Sequence, residues 1–103
     1  MLSVKHDVKL LGLTTQALLA VVIAHSVMHD YGYDCVITSC TDGTHGRQSL
    51  HYQGNAVDLR TRHIDERDLA RIVEKIRLAL GPEYDVVLES NHLHIEWQPK
   101  KES

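Results

Sequence analysis

Two stretches of the chain carry apolar residues at the three- and four-residue spacing of a helix. The first begins with Thr14 or Thr15 as its N-cap and extends to about Asp30. Its predicted buried positions include Leu18, Leu19, Val22, Ile23 and Val27. The second follows Asp65 as its cap and ends before Gly81. Its apolar face comprises Leu69, Ile72, Val73, Ile76 and Leu80, and charges of both signs predict a solvated opposite face.

Three shorter segments have the composition or the alternation of strands. Cys35 to Thr38 and Tyr84 to Leu88 are rich in apolar and β-branched residues. In the third segment, apolar and polar residues alternate, with Leu93, Ile95 and Trp97 on one side and His92, His94 and Glu96 on the other. This alternation is typical of a half-buried antiparallel strand with one wet face. The chain is therefore predicted to be an α+β domain, with two main helices on one face of a small, mainly antiparallel sheet.

Length and charge narrow the functional classes. The 103 residues suffice for a single domain, residues 1–103, with a modest core. A formal net charge of -3 with scattered Lys and Arg argues against nucleic-acid binding. The apolar run from Leu10 to Ala24 is interrupted by Thr14 to Gln16, so neither a secretory signal nor a membrane span is expected. We expect a monomer with two free thiols, Cys35 and Cys40.

The stretch from Ser49 to Asp58 and the two histidines of the last predicted strand carry the residues of a metal site. His51 and Asp58 stand seven positions apart, with Gly54 between them to let the backbone turn. A hydrolytic zinc ion takes three nitrogen or oxygen ligands and keeps one position open for water. His51, Asp58 and one of the two histidines supply such a set. A histidine and an aspartate around a glycine also occur in ordinary polar loops, so the second cluster carries the argument.

The order and spacing of these residues resemble a known family. The signature of the zinc D-Ala-D-Ala carboxypeptidases and L-Ala-D-Glu endopeptidases is similar to the pattern here, which is Ser49-x-His51-x-x-Gly54-x-Ala56-x-Asp58 followed by His92-x-His94. These enzymes share their fold with the hedgehog signalling domain and include many phage endolysins. The resemblance implies a zinc ion held by His51, Asp58 and His94, in a cleft on the sheet face away from the helices. It also implies that His92 steadies the oxyanion.

One position departs from the family pattern. The general base in that family is usually an acidic residue three positions before the last histidine ligand, where this chain has Asn91. An amide cannot take a proton from water. Either Glu89, which has the same strand parity, takes this role, with Glu96 as the next candidate, or the chain is a weakened or inactive relative. Arg47 and His45, in the loop before the motif, are candidates for holding the substrate.

The resemblance also implies a substrate. Peptidoglycan stem peptides containing D-amino acids are the expected target, cleaved by a carboxypeptidase or an endopeptidase. The small size and the lack of an evident export signal favour a phage lysis enzyme, held in the host cytoplasm before release to the cell wall. The alternative from another class is a zinc-stabilised binding module of the same fold, without catalysis. Purely structural use of the histidines is a third interpretation.

Overall fold

A computed structural model describes residues 1–40 and 54–98 of the chain. Within these ranges the chain forms two helices and five strands in the order β1, α1, β2, β3, α2, β4, β5. Their bounds are Leu2–Val4, Thr15–Asp30, Cys35–Cys40, Ala56–Arg60, Glu66–Leu80, Tyr84–Leu88 and His92–Trp97. No helix in the described ranges is long and apolar enough to cross a membrane.

The five strands form one sheet in the order β1-β2-β3-β5-β4. All neighbours run antiparallel except β1, which pairs in parallel with β2. The prediction of an α+β domain with a mainly antiparallel sheet is confirmed. Strand β1 has only three residues and was not predicted, because so short a segment shows no period. It forms through its pairing with β2, in which Leu2 lies opposite Cys35.

Helix α2 follows its sequence signals closely. The carboxylate of Asp65 accepts a hydrogen bond from the backbone N–H of Arg67 at 2.9 Å, which caps the first turn. The helix ends at Gly81, whose φ of 85° is a conformation that glycine adopts without strain. The predicted apolar face packs inward, with the central positions buried and Leu69 and Leu80 partly buried at its ends.

Helix α1 has the predicted bounds but a different buried face. The hydroxyl of Thr14 caps it by accepting from the backbone N–H of Ala17. The buried positions are Ala17, Ala20, Val21, Ala24 and Met28. The prediction that Leu18, Leu19 and Val22 are buried is wrong, since they are 44%, 50% and 57% exposed. The helix is apolar on nearly all sides, so spacing alone did not identify its inner face. The small side chains of three alanines line that face instead.

The two faces of the sheet differ in what they carry. Strand residues whose side chains point towards the helices form the core, among them Ile37, Val57, Leu59, Leu93 and Ile95, each no more than 1% exposed. Alternate residues of β3 and β5 point to the other face, which the helices leave open. Asp58, His94 and Glu96 lie on that open face.

Gly54 fixes the start of β3. Its φ is 79°, and its carbonyl oxygen accepts a hydrogen bond from the backbone N–H of Thr14 at 2.9 Å. A Cβ atom at this position would overlap the backbone carbonyl of Gly12. A glycine is therefore required both by the turn and by the close approach of the segment that precedes α1.

Candidate metal centre

Asp58 and His94 form the centre of the open sheet face. They lie directly opposite each other on the antiparallel strands β3 and β5. The Nδ1 atom of His94 is 2.7 Å from Oδ1 of Asp58. The backbone carbonyl of Asp58 also accepts a hydrogen bond from the hydroxyl of Thr38 on β2, at 3.3 Å. Cross-strand register therefore brings together a carboxylate and an imidazole that are 36 positions apart in the sequence.

A second carboxylate lies at the far nitrogen of the same ring. The Nε2 atom of His94 is 3.0 Å from Oε1 of Glu96, and the other oxygen of Glu96 accepts from the side-chain amide of Gln98 at 3.0 Å. Asp58 is the main cause that raises the pKa of His94 from its ordinary value of 6.5 to about 9; partial burial opposes the rise and Glu96 adds to it. Without a metal, the ring is therefore an imidazolium that donates from both nitrogens at neutral pH.

His92 lies beside this pair. Its Nδ1 atom is 2.7 Å from the amide oxygen of Asn91, which can only accept, so Nδ1 is the donor. The Nε2 atom is thereby directed towards Asp58, 3.7 Å from its Oδ1 atom. Asn91 thus orients an imidazole of the site, and its side chain performs no acid or base chemistry.

The residue predicted to be the base, Glu89, lies in the turn between β4 and β5 and is exposed. Its backbone N–H donates to the carbonyl of His92 at 2.8 Å, which closes the turn. In the described part of the chain its carboxylate has no hydrogen bond or ion pair to the Asp58–His94 pair. Glu96, the next candidate, is bonded to His94 instead. The role of Glu89 as the base stays a prediction.

The remaining predicted site residues, His51, Arg47 and His45, lie in the stretch 41–53, outside the described residues. Across residues 1–40 and 54–98, no three His, Cys, Asp or Glu side chains form a group that could hold a metal ion. Asp58 and His94 by themselves provide two ligand atoms in contact, a carboxylate oxygen and an imidazole nitrogen. Zinc binds both kinds of atom. The donor set fits zinc if a third ligand comes from the stretch that includes His51.

A cavity of about 330 Å³ adjoins the pair, and sequence reasoning missed most of its residues. It is lined by Lys5, Thr38, Asp58, Arg60, Arg62, Asn91 and His92. Strand alternation places Arg60, two residues after Asp58, on the same face as Asp58, and this signal was available in the sequence.

Comparison with known proteins places the chain in a family. The Hedgehog amino-terminal signalling domain matches residues 15–97, a range that includes β3 and β5. Proteins named "Protein hedgehog" from Drosophila simulans, Drosophila sechellia and Drosophila melanogaster are each 34% identical to this chain over 85 residues. The aligned region is 80% of this chain but 21%, 18% and 17% of those three proteins. The chain therefore spans about a fifth of the length of these relatives.

These matches correct two expectations. A peptidoglycan stem peptide as the substrate, and a role as a phage endolysin in cell-wall degradation, are wrong, because the matched family is described as a signalling domain and the relatives are named hedgehog proteins. The residues that resemble the zinc peptidase signature lie inside the matched range 15–97, so the resemblance alone did not distinguish a peptidase from a signalling domain. The chain belongs to the Hedgehog amino-terminal signalling domain family, which is related by fold to the zinc peptidases.

Proposed function

We propose that this domain is a zinc-dependent peptidase of the hedgehog type, with His51, Asp58 and His94 as the ligands of one zinc ion. The observation that carries the proposal is the 2.7 Å contact between Asp58 and His94 on the open face of the sheet. An aspartate and a histidine in contact, on a face the helices leave open, suit metal binding better than core packing.

The two nitrogens of His94 would have different tasks. Nδ1 faces Asp58 and is the atom that would meet the metal, after giving up its proton. Nε2 would keep its proton and donate a hydrogen bond to Glu96, which fixes the tautomer and the plane of the ring. Gln98 holds the other oxygen of Glu96, so the carboxylate is itself oriented.

When bound, zinc supplies a Lewis acid that polarises a carbonyl group and lowers the pKa of water to about 7. The Nε2 atom of His92 points to the same side of the sheet as Asp58. Because Nδ1 already donates to Asn91, Nε2 would donate to a developing oxyanion only as an imidazolium, with a proton on both nitrogens. Glu89 would take a proton from water and return it to the leaving amine. For that role its side chain would have to turn from the β4–β5 turn towards Asp58.

A second candidate function is a zinc-stabilised domain that binds another protein without catalysis. Asn91 favours it, because an amide occupies the position where an acid is expected, and because Asn91 is engaged by His92. The relatives bear the name of a signalling protein, which favours it too. In this case the Asp58–His94 pair would contribute stability by holding an ion that only the folded state binds.

One experiment separates the two functions. The protein is purified without added metal, its zinc content is measured, and it is incubated with a mixed peptide library that is read by mass spectrometry. We expect one zinc per chain and cleavage that a chelator stops. Glu89→Gln should keep the zinc and abolish cleavage, while Glu83→Gln, an exposed glutamate near the start of β4, should change neither.

Stoichiometric zinc with no cleavage of any peptide would establish the binding domain. Full cleavage by the Glu89→Gln variant would remove Glu89 from the mechanism. The absence of stoichiometric zinc would contradict both functions.

A further inference from the structure

We infer that the cavity beside Asp58 is a binding subsite for an acidic peptide segment. The cavity has a volume of about 330 Å³, which is large enough to hold acidic side chains. It shares Asp58 and His92 with the candidate metal centre. A ligand that occupies the cavity would therefore lie against the residues proposed to act on a peptide.

The charge of the cavity is opposite to that of the whole chain. Lys5, Arg60 and Arg62 contribute three cations to its lining, against the single carboxylate of Asp58. That carboxylate is already engaged by His94 at 2.7 Å. The chain as a whole has a formal net charge of -3. A positive cavity on a negative protein concentrates anionic ligands there and attracts them selectively.

Among the described residues, no acid forms an ion pair with any of the three cations. Within residues 1–40 and 54–98, none of them has an ion pair or a side-chain hydrogen bond. The acid nearest to Lys5 in sequence, Asp7, pairs with His6 at 3.2 Å. By contrast, Arg77 on α2 donates twice to the carbonyl of Val86, at 3.1 and 2.9 Å. Cations that surround one cavity without internal partners repel one another, and a bound anion would relieve that repulsion.

The backbone positions of these cations are set by regular structure. Arg60 is the last residue of β3 and lies opposite His92 of β5. Arg62 follows the buried Thr61, whose carbonyl accepts from the backbone N–H of Ile64 at 3.0 Å in the turn that leads to α2. The backbone N–H of Lys5 donates to the carbonyl of Ile37 on β2 at 2.8 Å. The three cations are thus held in place by the sheet and by the turn that leads from β3 to α2.

The chemistry of the lining indicates carboxylates. A guanidinium group binds a carboxylate through two parallel hydrogen bonds, and the cavity offers two such groups and an ammonium. Three separate cations match two neighbouring acidic side chains better than one terminal carboxylate. The inference depends on the proposed function only where it places the bound segment beside a bond to be cut. Binding of the segment itself can be measured without cleavage.

The test uses three fluorescent peptides that differ in their carboxylates. The first has two adjacent glutamates and blocked ends, the second has glutamines in their place, and the third has the glutamines and a free C-terminal carboxylate. Affinity is measured by fluorescence anisotropy at low salt with metal-free protein. We expect the affinity for the glutamate peptide to be at least about 10-fold higher than the affinity for either glutamine peptide. The reason is that charge-assisted hydrogen bonds are about twice as strong as neutral ones.

Two double variants locate the site. Arg60→Gln with Arg62→Gln should reduce the preference for glutamate to about 2-fold or less, because both bidentate partners are lost. Arg67→Gln with Arg71→Gln changes the net charge equally on the exposed face of α2 and should leave the preference intact. Zinc content is measured on each variant as purified, before the metal is removed for the affinity measurement, so that a failure of the metal site is recognised separately from a failure of the subsite.

Four results would overturn the inference. The glutamate peptide could bind no better than the glutamine peptide, or the two double variants could lose affinity equally. A preference for the free C-terminal carboxylate would assign the cavity to a chain terminus instead of an acidic segment. Tighter binding of a sulfated polysaccharide through the same arginines would assign it to a different class of ligand.

Discussion

The two faces of strands β3 and β5 carry opposite kinds of residue within the same backbone pairing. Leu59 and Leu93 lie opposite each other on the inner face, and both are 0% exposed. Asp58 and His94 lie opposite each other on the outer face, with side chains 24% and 31% exposed. Neighbouring positions of one ladder thus form the hydrophobic core and the candidate metal centre.

This difference shows that different residues can provide the stability and the proposed metal binding, even in a very small domain. The inner leucines are held by apolar area removed from water, which needs no specific partner. The outer pair is held by one short polar contact, which needs a specific register and is partly screened by water. Substitutions on the inner face should therefore lower the free energy of unfolding. Substitutions on the outer face should instead lower the affinity for zinc.

The largest effect is expected from Leu59→Ala on the inner face. Removal of a fully buried leucine leaves a cavity, so the free energy of unfolding should fall by about 2–5 kcal/mol. Urea denaturation of the metal-free protein measures this change. Leu78→Ala is the matched control, because Leu78 is 75% exposed on α2 and its loss should change stability by about 0.5 kcal/mol or less. Equal losses in the two variants would contradict the division between the faces.

Asp58→Asn on the outer face should remove metal binding and keep the fold. The amide has the size of the carboxylate but lacks its charge. The affinity for zinc should therefore fall by about 100-fold or more, which exceeds the loss expected when a residue that only orients a metal ligand is removed. Competition with a chromophoric chelator measures the affinity, and circular dichroism checks the fold. Asp85→Asn is the control, since Asp85 is exposed on β4 opposite Glu96. Zinc affinity unchanged by Asp58→Asn would exclude Asp58 as a ligand.

Glu96→Ala should weaken zinc binding less than Asp58→Asn does. Glu96 touches the ring of His94 at the nitrogen away from Asp58, so its loss frees the orientation of the ring without removing a ligand. The expected loss of affinity is about 10- to 100-fold, as for other outer partners of metal ligands. Glu96→Gln should restore part of it, because the amide oxygen can still accept from Nε2. If Glu96→Ala binds zinc as the unmodified protein does, Glu96 has no positioning role.

The smallest effect is a pH dependence of the metal-free protein. The pKa of His94 is raised from 6.5 to about 9 in the folded state, mainly by Asp58. The stability from this contact should be complete below pH 6.5 and should be lost as the pH rises through about 9. Urea midpoints measured in the presence of a chelator between these values test the change, which solvent screening keeps small. In His94→Gln the decline over this window should disappear, and an identical decline would assign it to another group.

Much of the fold could be predicted because its signals are local. The cap at Asp65, the period of α2 and the alternation of β5 each lie within one element, and each prediction is confirmed. The inner face of α1 could not be predicted, because the helix is apolar on nearly all sides and only packing against the sheet selects its alanines. Strand β1 depends on pairing with residues more than 30 positions away.

The site was predictable to a similar extent. Spacing and alternation made Asp58 and the His92/His94 pair candidate ligands, and the resemblance singled out His94. Alternation along β3 would also have indicated Arg60, which lies on the same face as Asp58. Lys5 could not be found this way, because it reaches the cavity only through the parallel pairing of β1 with β2. The motif did not separate a cell-wall peptidase from a signalling domain, and only the match over residues 15–97 did so.

The tight approach of Gly54 to Gly12 makes the candidate metal centre sensitive to a residue that is not one of its proposed ligands. A strand that slips by one residue turns every side chain to the other face, so Val57 or Leu59 would then meet His94 in place of the aspartate. The contact at Gly54 opposes such a slip by anchoring the chain, two residues before β3, to a distant segment. A mutation at this glycine would therefore disable the candidate metal centre while leaving each of the proposed ligands unchanged.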